Sequence, residues 1–288
     1  MNYIRVRSYA KINLSLDVLG VRDGYHLIDS VVTTIDICDI IAVKKRKDEL
    51  VSVTMRGMGS EDIPYERNNA VKAAEAFISA YSTKGADITV WKNIPMGAGL
   101  GGSSADAAGV LNALGALYGV DDAVGIKAIA DSLGSDTGYM LTGGYARISG
   151  RGEIVRPLDC DLKLDLALII PSSGVSTGAC YALSDSLGQK VQTSDEVERA
   201  LSEGDREKLG KALSNGLYAP AKTLNADVGR AYGELESFAP LGVCMTGSGS
   251  AVYAIFENDM FARYAQSRYG GKMRFIQTKT HLPPFKER

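Results

Sequence analysis

The residues with the plainest chemical potential lie between Ile94 and Asp106, in the order Ile-Pro-Met-Gly-Ala-Gly-Leu-Gly-Gly-Ser-Ser-Ala-Asp. Gly97, Gly99, Gly101 and Gly102 leave the backbone there nearly unhindered, so successive N–H groups can turn into one concavity. Ser103 and Ser104 follow where a helical pattern begins, adding hydroxyls beside the unpaired amides of a first turn and its positive dipole end. Such an arrangement suits an anion, phosphate above all. Each charge-assisted hydrogen bond in it contributes about 1.5–3 kcal/mol. The competing reading is a plain flexible turn, although so glycine-dense a loop is costly in chain entropy.

Gly97, Gly99 and Gly102 satisfy G-x-G-x-x-G, and Asp121 or Asp122 stands about 20 residues on, as a dinucleotide site requires. The context argues against that reading. Pro95 and Met96 separate the glycines from the preceding strand, and a helix, not a second parallel strand, leads to Asp121. A Walker loop is excluded because no Gly-Lys pair is followed by Ser or Thr. The lysine and Asp-loop partners of a protein kinase are missing too.

Other candidate groups are less specific taken alone. In Lys11-Ile12-Asn13-Leu14-Ser15-Leu16, alternation puts Lys11, Asn13 and Ser15 on one strand face, which is either a functional face or simply a solvent face. His26 follows an Asp23-Gly24 turn, where a lone histidine is usually a surface residue. Asp136, in Gly134-Ser135-Asp136-Thr137-Gly138, reads as an ordinary turn or N-cap aspartate.

Composition bounds the partners. The chain has 288 residues, 45% hydrophobic and 23% charged, with a net charge of −2, as in an ordinary globular protein. That balance gives no support for general nucleic-acid or membrane affinity. Cys38, Cys160, Cys180 and Cys244 form no CxxC pair and read as small core residues in a reducing compartment. With His26 and His281 the only histidines, a His-rich metal centre is not expected. The N-terminus lacks an apolar signal core and no run approaches membrane-spanning length, so the expected location is cytoplasmic.

The elements that must position these groups follow from periodicity. Strands are predicted over Tyr3–Ser8, Ile12–Leu19, Ser30–Asp36, Asp39–Lys45 and Leu50–Arg56, with Lys44 to Glu49 as a solvated hairpin end. A helix is expected over Ala70–Tyr81, a strand over Asp87–Lys92, and then the glycine loop. The helix after the loop should line one side with Ala107, Val110, Leu111, Leu114 and Leu117. A helix over Asp122–Leu133, a strand over Tyr145–Ser149 and a turn at Gly150-Arg151-Gly152 come next. The second half should hold a buried strand Leu164–Ile170 and a helix from Gly178 to Ser186 with its N-cap near Ser176. A polar loop from Gly188 to Asp195 and several helical pieces to Phe238 follow, then the strand Ala251–Phe256, a helix Phe261–Tyr269 and a strand Met273–Thr278. Strands dominate the first third and helices the rest, which implies an α+β chain of two lobes split near residues 150–165.

Three stretches together go beyond single motifs. Ala10-Lys11-Ile12-Asn13-Leu14, Pro95 through Ala108, and Met245-Thr246-Gly247-Ser248-Gly249 resemble the three motifs of the GHMP small-molecule kinase superfamily. Within it the chain is most similar to the 4-diphosphocytidyl-2-C-methyl-D-erythritol kinases, through Asp23-Gly24-Tyr25-His26, the Gly134-Ser135-Asp136 turn, Gly150-Arg151-Gly152-Glu153, and Val175-Ser176-Thr177 with Tyr181. The resemblance is collinear from about residue 8 to 256.

The resemblance implies a two-lobed α+β fold, with an N-terminal lobe like ribosomal protein S5 over residues 1–158 and a C-terminal α/β lobe over 159–288. It implies that Pro95, Met96, Gly97, Ala98, Gly99, Leu100, Gly101, Gly102, Ser103, Ser104 and Ala105 wrap the phosphates of ATP, accompanied by Mg²⁺ whose ligands the sequence does not identify. Lys11 and Asp136 become the catalytic pair facing the acceptor hydroxyl. Tyr25 and Tyr181 match aromatics that sandwich a cytosine ring, and His26 matches the residue that reads its edge. Asn13 and Thr177 become contacts to the methylerythritol diphosphate, with Gly247 to Ser250 as a smaller closing loop. The implied partner is this small molecule alone, taken up by a monomer or homodimer, with no nucleic acid and no membrane. Thr137-Gly138 stands where an apolar pair such as Val-Pro is expected, and Ala105 where a further serine is common. These departures bear on phosphate geometry rather than on the reaction. A mevalonate- or homoserine-type kinase, or a non-catalytic nucleotide or sugar-phosphate sensor on the same fold, are the alternatives.

Overall fold

A computed structural model describes residues 1–188 and 192–282. The chain runs β1 (Tyr3–Asn13), β2 (Asp17–Arg22), β3 (Tyr25–Lys45), β4 (Val51–Arg56), α1 (Asn69–Tyr81), β5 (Ala86–Trp91), α2 (Gly102–Tyr118), α3 (Ala123–Leu133) and the one-turn α4 (Thr137–Met140). It continues through β6 (Ala146–Gly150), β7 (Ile154–Pro157), β8 (Asp165–Ile170), α5 (Thr177–Leu187), α6 (Ser194–Ser202), α7 (Arg206–Ala212), α8 (Tyr218–Leu224) and α9 (Ala226–Glu236). It ends with β9 (Gly242–Met245), β10 (Val252–Phe256), α10 (Asp259–Arg268) and β11 (Arg274–Lys279). The chain divides into two compact units, one of residues 1–10, 37–96 and 101–143, the other of residues 11–36, 97–100 and 144–288.

In the first unit β5 pairs antiparallel with the C-terminal half of β3 and parallel with β4. The basic stretch after Lys45 is therefore not a hairpin end, because β5 lies between the two strands it connects. Ile41, Val43, Ile88 and Val90 face Phe77 of α1 and Val110, Leu111 and Leu114 of α2 in one core. Asn68 caps α1 by accepting from the Ala70 N–H, which fixes the helix start that its 3–4 apolar spacing predicts. The sequence assigns α2 a single apolar side, whereas its buried residues run from Ala105 through Leu111 and on to Leu117. A helix rich in Ala and Gly can be packed all round, and a Cβ on Gly109 would overlap the Ile41 side chain.

In the second unit the N-terminal half of β3 pairs antiparallel with β2 and β6, and β6 pairs with β7. A separate antiparallel sheet runs in the order β11-β8-β10-β9. Every residue of β10 is buried, as a strand covered on both faces requires. Tyr253 in β10 is fully buried and donates its hydroxyl to the Asn13 carbonyl at 2.8 Å.

Several boundaries differ from the sequence pattern. The strands expected over Ser30–Asp36 and Asp39–Lys45 are one continuous β3, because Asp39 is buried in an ion pair and ends nothing. Tyr25 and His26 begin that strand instead of lying in the turn before it. Strand β7 went unpredicted, and the Thr137 turn forms a helical turn. In the loop expected from Gly188 to Asp195, residues 189–191 lie outside the described residues, and α6 begins at Ser194.

Candidate active site

Lys11 and Asn13 stand two residues apart on β1 and project to the same side. Lys11 is 4% and Asn13 2% exposed, and Ser15 is fully buried, so the shared face is not a solvent face. The Lys11 Nζ donates to Asn13 Oδ1 at 2.7 Å. The same amide oxygen accepts from the Gly247 N–H at 2.9 Å and from Thr246 Oγ1 at 3.3 Å, while Asn13 Nδ2 donates to Ser30 Oγ at 2.8 Å. Asn13 is thus a hub between a buried ammonium and the loop after β9. Sequence reasoning treated it only as a substrate contact and missed Ser30.

The glycine loop is tied into this hub. The Lys11 N–H donates to the Leu100 carbonyl at 3.0 Å and the Ala251 N–H to the Ala98 carbonyl at 3.1 Å, while the single Thr246 hydroxyl proton is shared between Asn13 Oδ1 and the Gly99 carbonyl, 3.2 Å from Oγ1. Gly99 has φ +77° and a Cβ there would overlap the Thr246 carbonyl, so both conformation and space require glycine. Carbonyls of the loop are consumed by these bonds. Thr177 Oγ1 lies 2.8 Å from Ser248 Oγ, which brings the start of α5 to the second glycine loop.

In the first unit, Gly101 is the N-cap of α2 with φ +72° and has no side chain to cap the helix. The first-turn amides of Gly102, Ser103 and Ser104 are then the groups an anion would meet. Ala105 lies inside the helix, fully buried, and its carbonyl accepts from Ser8 Oγ. Asp136 is the N-cap residue of α4, without a side-chain bond capping that turn. A Cβ built on Gly134, two residues before it, would come within 3.7 Å of Ser104 Oγ. The Asp136 turn therefore lies beside the first turn of α2. Thr137 is fully buried, with its hydroxyl oxygen unpartnered among protein groups.

A buried triad holds the approach to the loop. Lys92 pairs with Asp39 and, at 2.6 Å, with Asp106 of α2. The second Asp39 oxygen accepts from the N–H groups of Asn93, at 2.6 Å, and Ile94, at 2.9 Å. Burial, and next the like charge of Asp39, push the Asp106 carboxyl up to about 8, against the pull of the Lys92 ammonium. A sequence signal for the triad existed. Ala86, Ile88 and Val90 are the inward residues of β5, and Lys92 continues their parity, so a charged residue stood at a core position.

Of the proposed base-binding residues, His26 and Tyr181 are brought together, with ring centroids 4.5 Å apart. The His26 Nε2 lies 3.0 Å from both carboxylate oxygens of Asp185, a partner sequence reasoning missed. Tyr25 presents an exposed ring, with the Arg151 guanidinium 3.8 Å from its centroid. One face of Tyr25 is therefore already covered.

Comparison with known proteins finds relatives over most of the chain. The GHMP kinases N-terminal domain matches residues 68–146 and the GHMP kinases C-terminal domain residues 197–270. The 4-diphosphocytidyl-2-C-methyl-D-erythritol kinase of Caldicellulosiruptor saccharolyticus is 37% identical over 268 residues, 91% of each chain. That of Carboxydothermus hydrogenoformans is 36% identical, covering 86% of this chain and 87% of its own. A crystal structure of 4-(cytidine 5'-diphospho)-2C-methyl-D-erythritol kinase superposes with a TM-score of 0.80 at 29% identity, covering 96% of this chain and 99% of that one. Homoserine kinase from Cytophaga hutchinsonii, with a TM-score of 0.75 at 16% identity over 98% of this chain and 95% of its own, shares the fold. The buried lysine, the two glycine loops and the sequence similarity along nearly the whole chain converge: it belongs to the GHMP kinases and, among them, to the 4-diphosphocytidyl-2-C-methyl-D-erythritol kinase family.

Proposed function

We propose that the protein transfers the γ-phosphoryl group of ATP to the 2-hydroxyl of 4-diphosphocytidyl-2-C-methyl-D-erythritol, giving the 2-phosphate and ADP in isoprenoid precursor synthesis by the non-mevalonate route. The observation that carries this reading is Lys11. Its backbone is bonded to the glycine loop at Leu100 and its ammonium is held, nearly buried, by Asn13. A fixed cation at a phosphate loop serves phosphoryl transfer, in which positioning and charge stabilisation supply most of the rate.

In this reading the stretch from Pro95 to Ala105 binds the nucleotide phosphates, chiefly through the first-turn amides of α2. Asp136 accepts the proton of the attacking hydroxyl, a role worth roughly 10²–10⁴ in rate. Lys11 keeps negative charge stabilised as the phosphoryl group moves. Tyr25, His26 and Tyr181 hold the cytosine, and Asn13 and Thr177 contact the methylerythritol diphosphate. Mg²⁺ arrives with the nucleotide. Among the described residues no cluster of three or more His, Cys, Asp or Glu side chains is arranged to hold an ion. An ion of this kind is usually held through phosphates, waters and one or two protein oxygens, among which Ser104 could serve. When bound, it neutralises the β- and γ-phosphates.

The two family domains fall on either side of residue 158, which supports a lobe boundary there. No helix among the described residues is long and apolar enough to cross a membrane, and we take the enzyme to act in the cytoplasm as a monomer or homodimer. The deciding measurement is ADP release by the purified protein with ATP and the cytidylyl substrate, beside mevalonate and homoserine. Turnover confined to the cytidylyl substrate is expected; turnover of either control alone would overturn the assignment.

A further inference from the structure

Asp185 has no part in the function proposed above, yet its carboxylate meets the imidazole proposed to read the base. It lies on α5, four residues after Tyr181, so the two share a helix face. Both meet His26, Tyr181 through its ring at 4.5 Å and Asp185 through both carboxylate oxygens at 3.0 Å from Nε2. One helix therefore supplies both the ring packed on this imidazole and its carboxylate partner.

The chemistry is that of acceptor-only groups. An ionised carboxylate can only accept, so it requires the proton of a neutral imidazole on Nε2 and leaves Nδ1 as a lone-pair acceptor. An acceptor facing the 4-position of a pyrimidine matches the amino group of cytosine and opposes the oxo group of uracil. Resting on the kinase reading above, we infer that Asp185 is a positioning residue that fixes the Nε2–H tautomer of His26 and thereby makes the enzyme prefer a cytidylyl over a uridylyl substrate. Sites built to bond a polar group reject the analogue lacking it, because a buried group is otherwise left unpaired. Asp185 is half exposed in the free protein, with a side-chain exposure of 50% against 21% for His26. Cover by a bound base would strengthen the pair by excluding water.

The test has two arms. In the first, ¹⁵N resonances of the His26 imidazole are recorded in free wild-type, Asp185→Asn and Asp185→Ala protein at about pH 8, above the ordinary imidazole range. The wild type should show the Nε2–H tautomer, and both variants a mixture, since an amide can donate as well as accept and alanine does neither. In the second, kcat/KM is compared for the cytidylyl substrate and its uridylyl analogue. The preference should fall on the order of tenfold in Asp185→Ala, through KM, and return in part in Asp185→Glu, matching the loss of one hydrogen bond. A wild-type Nδ1–H tautomer, or an unchanged preference in Asp185→Ala with folding intact, overturns the inference. If wild-type protein turns over neither substrate, the kinase reading fails instead, and the first arm still decides the tautomer.

Discussion

At the scale of single residues, the structure separates groups that do chemistry from groups that hold them. Asp136→Asn keeps size and shape but removes the base, so kcat should fall by at least about a hundredfold while ATP binding, read by calorimetry, is retained. Full activity in this variant would remove Asp136 from the mechanism. Asn13 offers a sharper contrast. Its oxygen holds Lys11 and Gly247, so Asn13→Ala should lower kcat more than it raises KM for the cytidylyl substrate. A pure rise in KM would mean that Asn13 serves as a substrate contact and not as a hub. The glycines were legible from motif spacing, whereas Lys11 and Asp136 stood out only through the family resemblance, since by pattern alone they read as a strand-face lysine and a turn aspartate. Ser30 and Asp185 were not legible, since their partners Asn13 and His26 lie 17 and 159 residues away in sequence, and no local pattern marks such a pairing.

At the scale of elements, the loop is shaped by what it is bonded to. Gly99→Ala would require a Cβ at φ +77° against the Thr246 carbonyl, costing on the order of 1–3 kcal/mol in strain. Its expected outcome is a KM for ATP raised about tenfold or more, together with a lower Tm, measured by steady-state kinetics and thermal melting. The Lys92 triad anchors the other end of the loop. Lys92→Met leaves Asp39 buried without its cation and should destabilise the protein by about 3–5 kcal/mol, read from denaturant unfolding. Wild-type stability in that variant would show the triad to be dispensable. The continuous β3 has the same origin, because Asp39 looks like a strand end in sequence until Lys92 is seen to pair with it.

For the molecule as a whole, Asp106 makes stability depend on pH. Its carboxyl is raised to about 8 in the folded chain, against about 3.9 for an ordinary aspartate. Between those values the folded protein holds a proton that the unfolded chain has released. Stability from this group is therefore complete below about pH 4 and is lost as pH rises through about 8. Unfolding midpoints in denaturant should fall from about pH 6 to about pH 9, and Asp106→Asn should flatten that slope. Parallel slopes for the two proteins would rule out Asp106 as the source. Much of the remaining core, in β8, β10 and α2, is apolar and insensitive to pH in this range.

The sequence by itself determined the phosphate loop, and its resemblance to a kinase family pointed to the rest of the chemistry. Glycines at loop spacing, a lysine on a polar-alternating strand and an aspartate in a glycine-flanked turn are local features, and local backbone geometry follows from local residue type. It also determined most of the strands and helices, because apolar periodicity is local too, but not β7 or the continuity of β3. Only the tertiary structure decided that β5 lies between β3 and β4, that the face of Lys11 and Asn13 is buried, and that Lys92 is buried against Asp39 and Asp106. It likewise decided that His26 meets Asp185. Pairings between distant residues are selected by packing and by the cost of burying unpaired charge, and neither leaves a periodic trace along the chain.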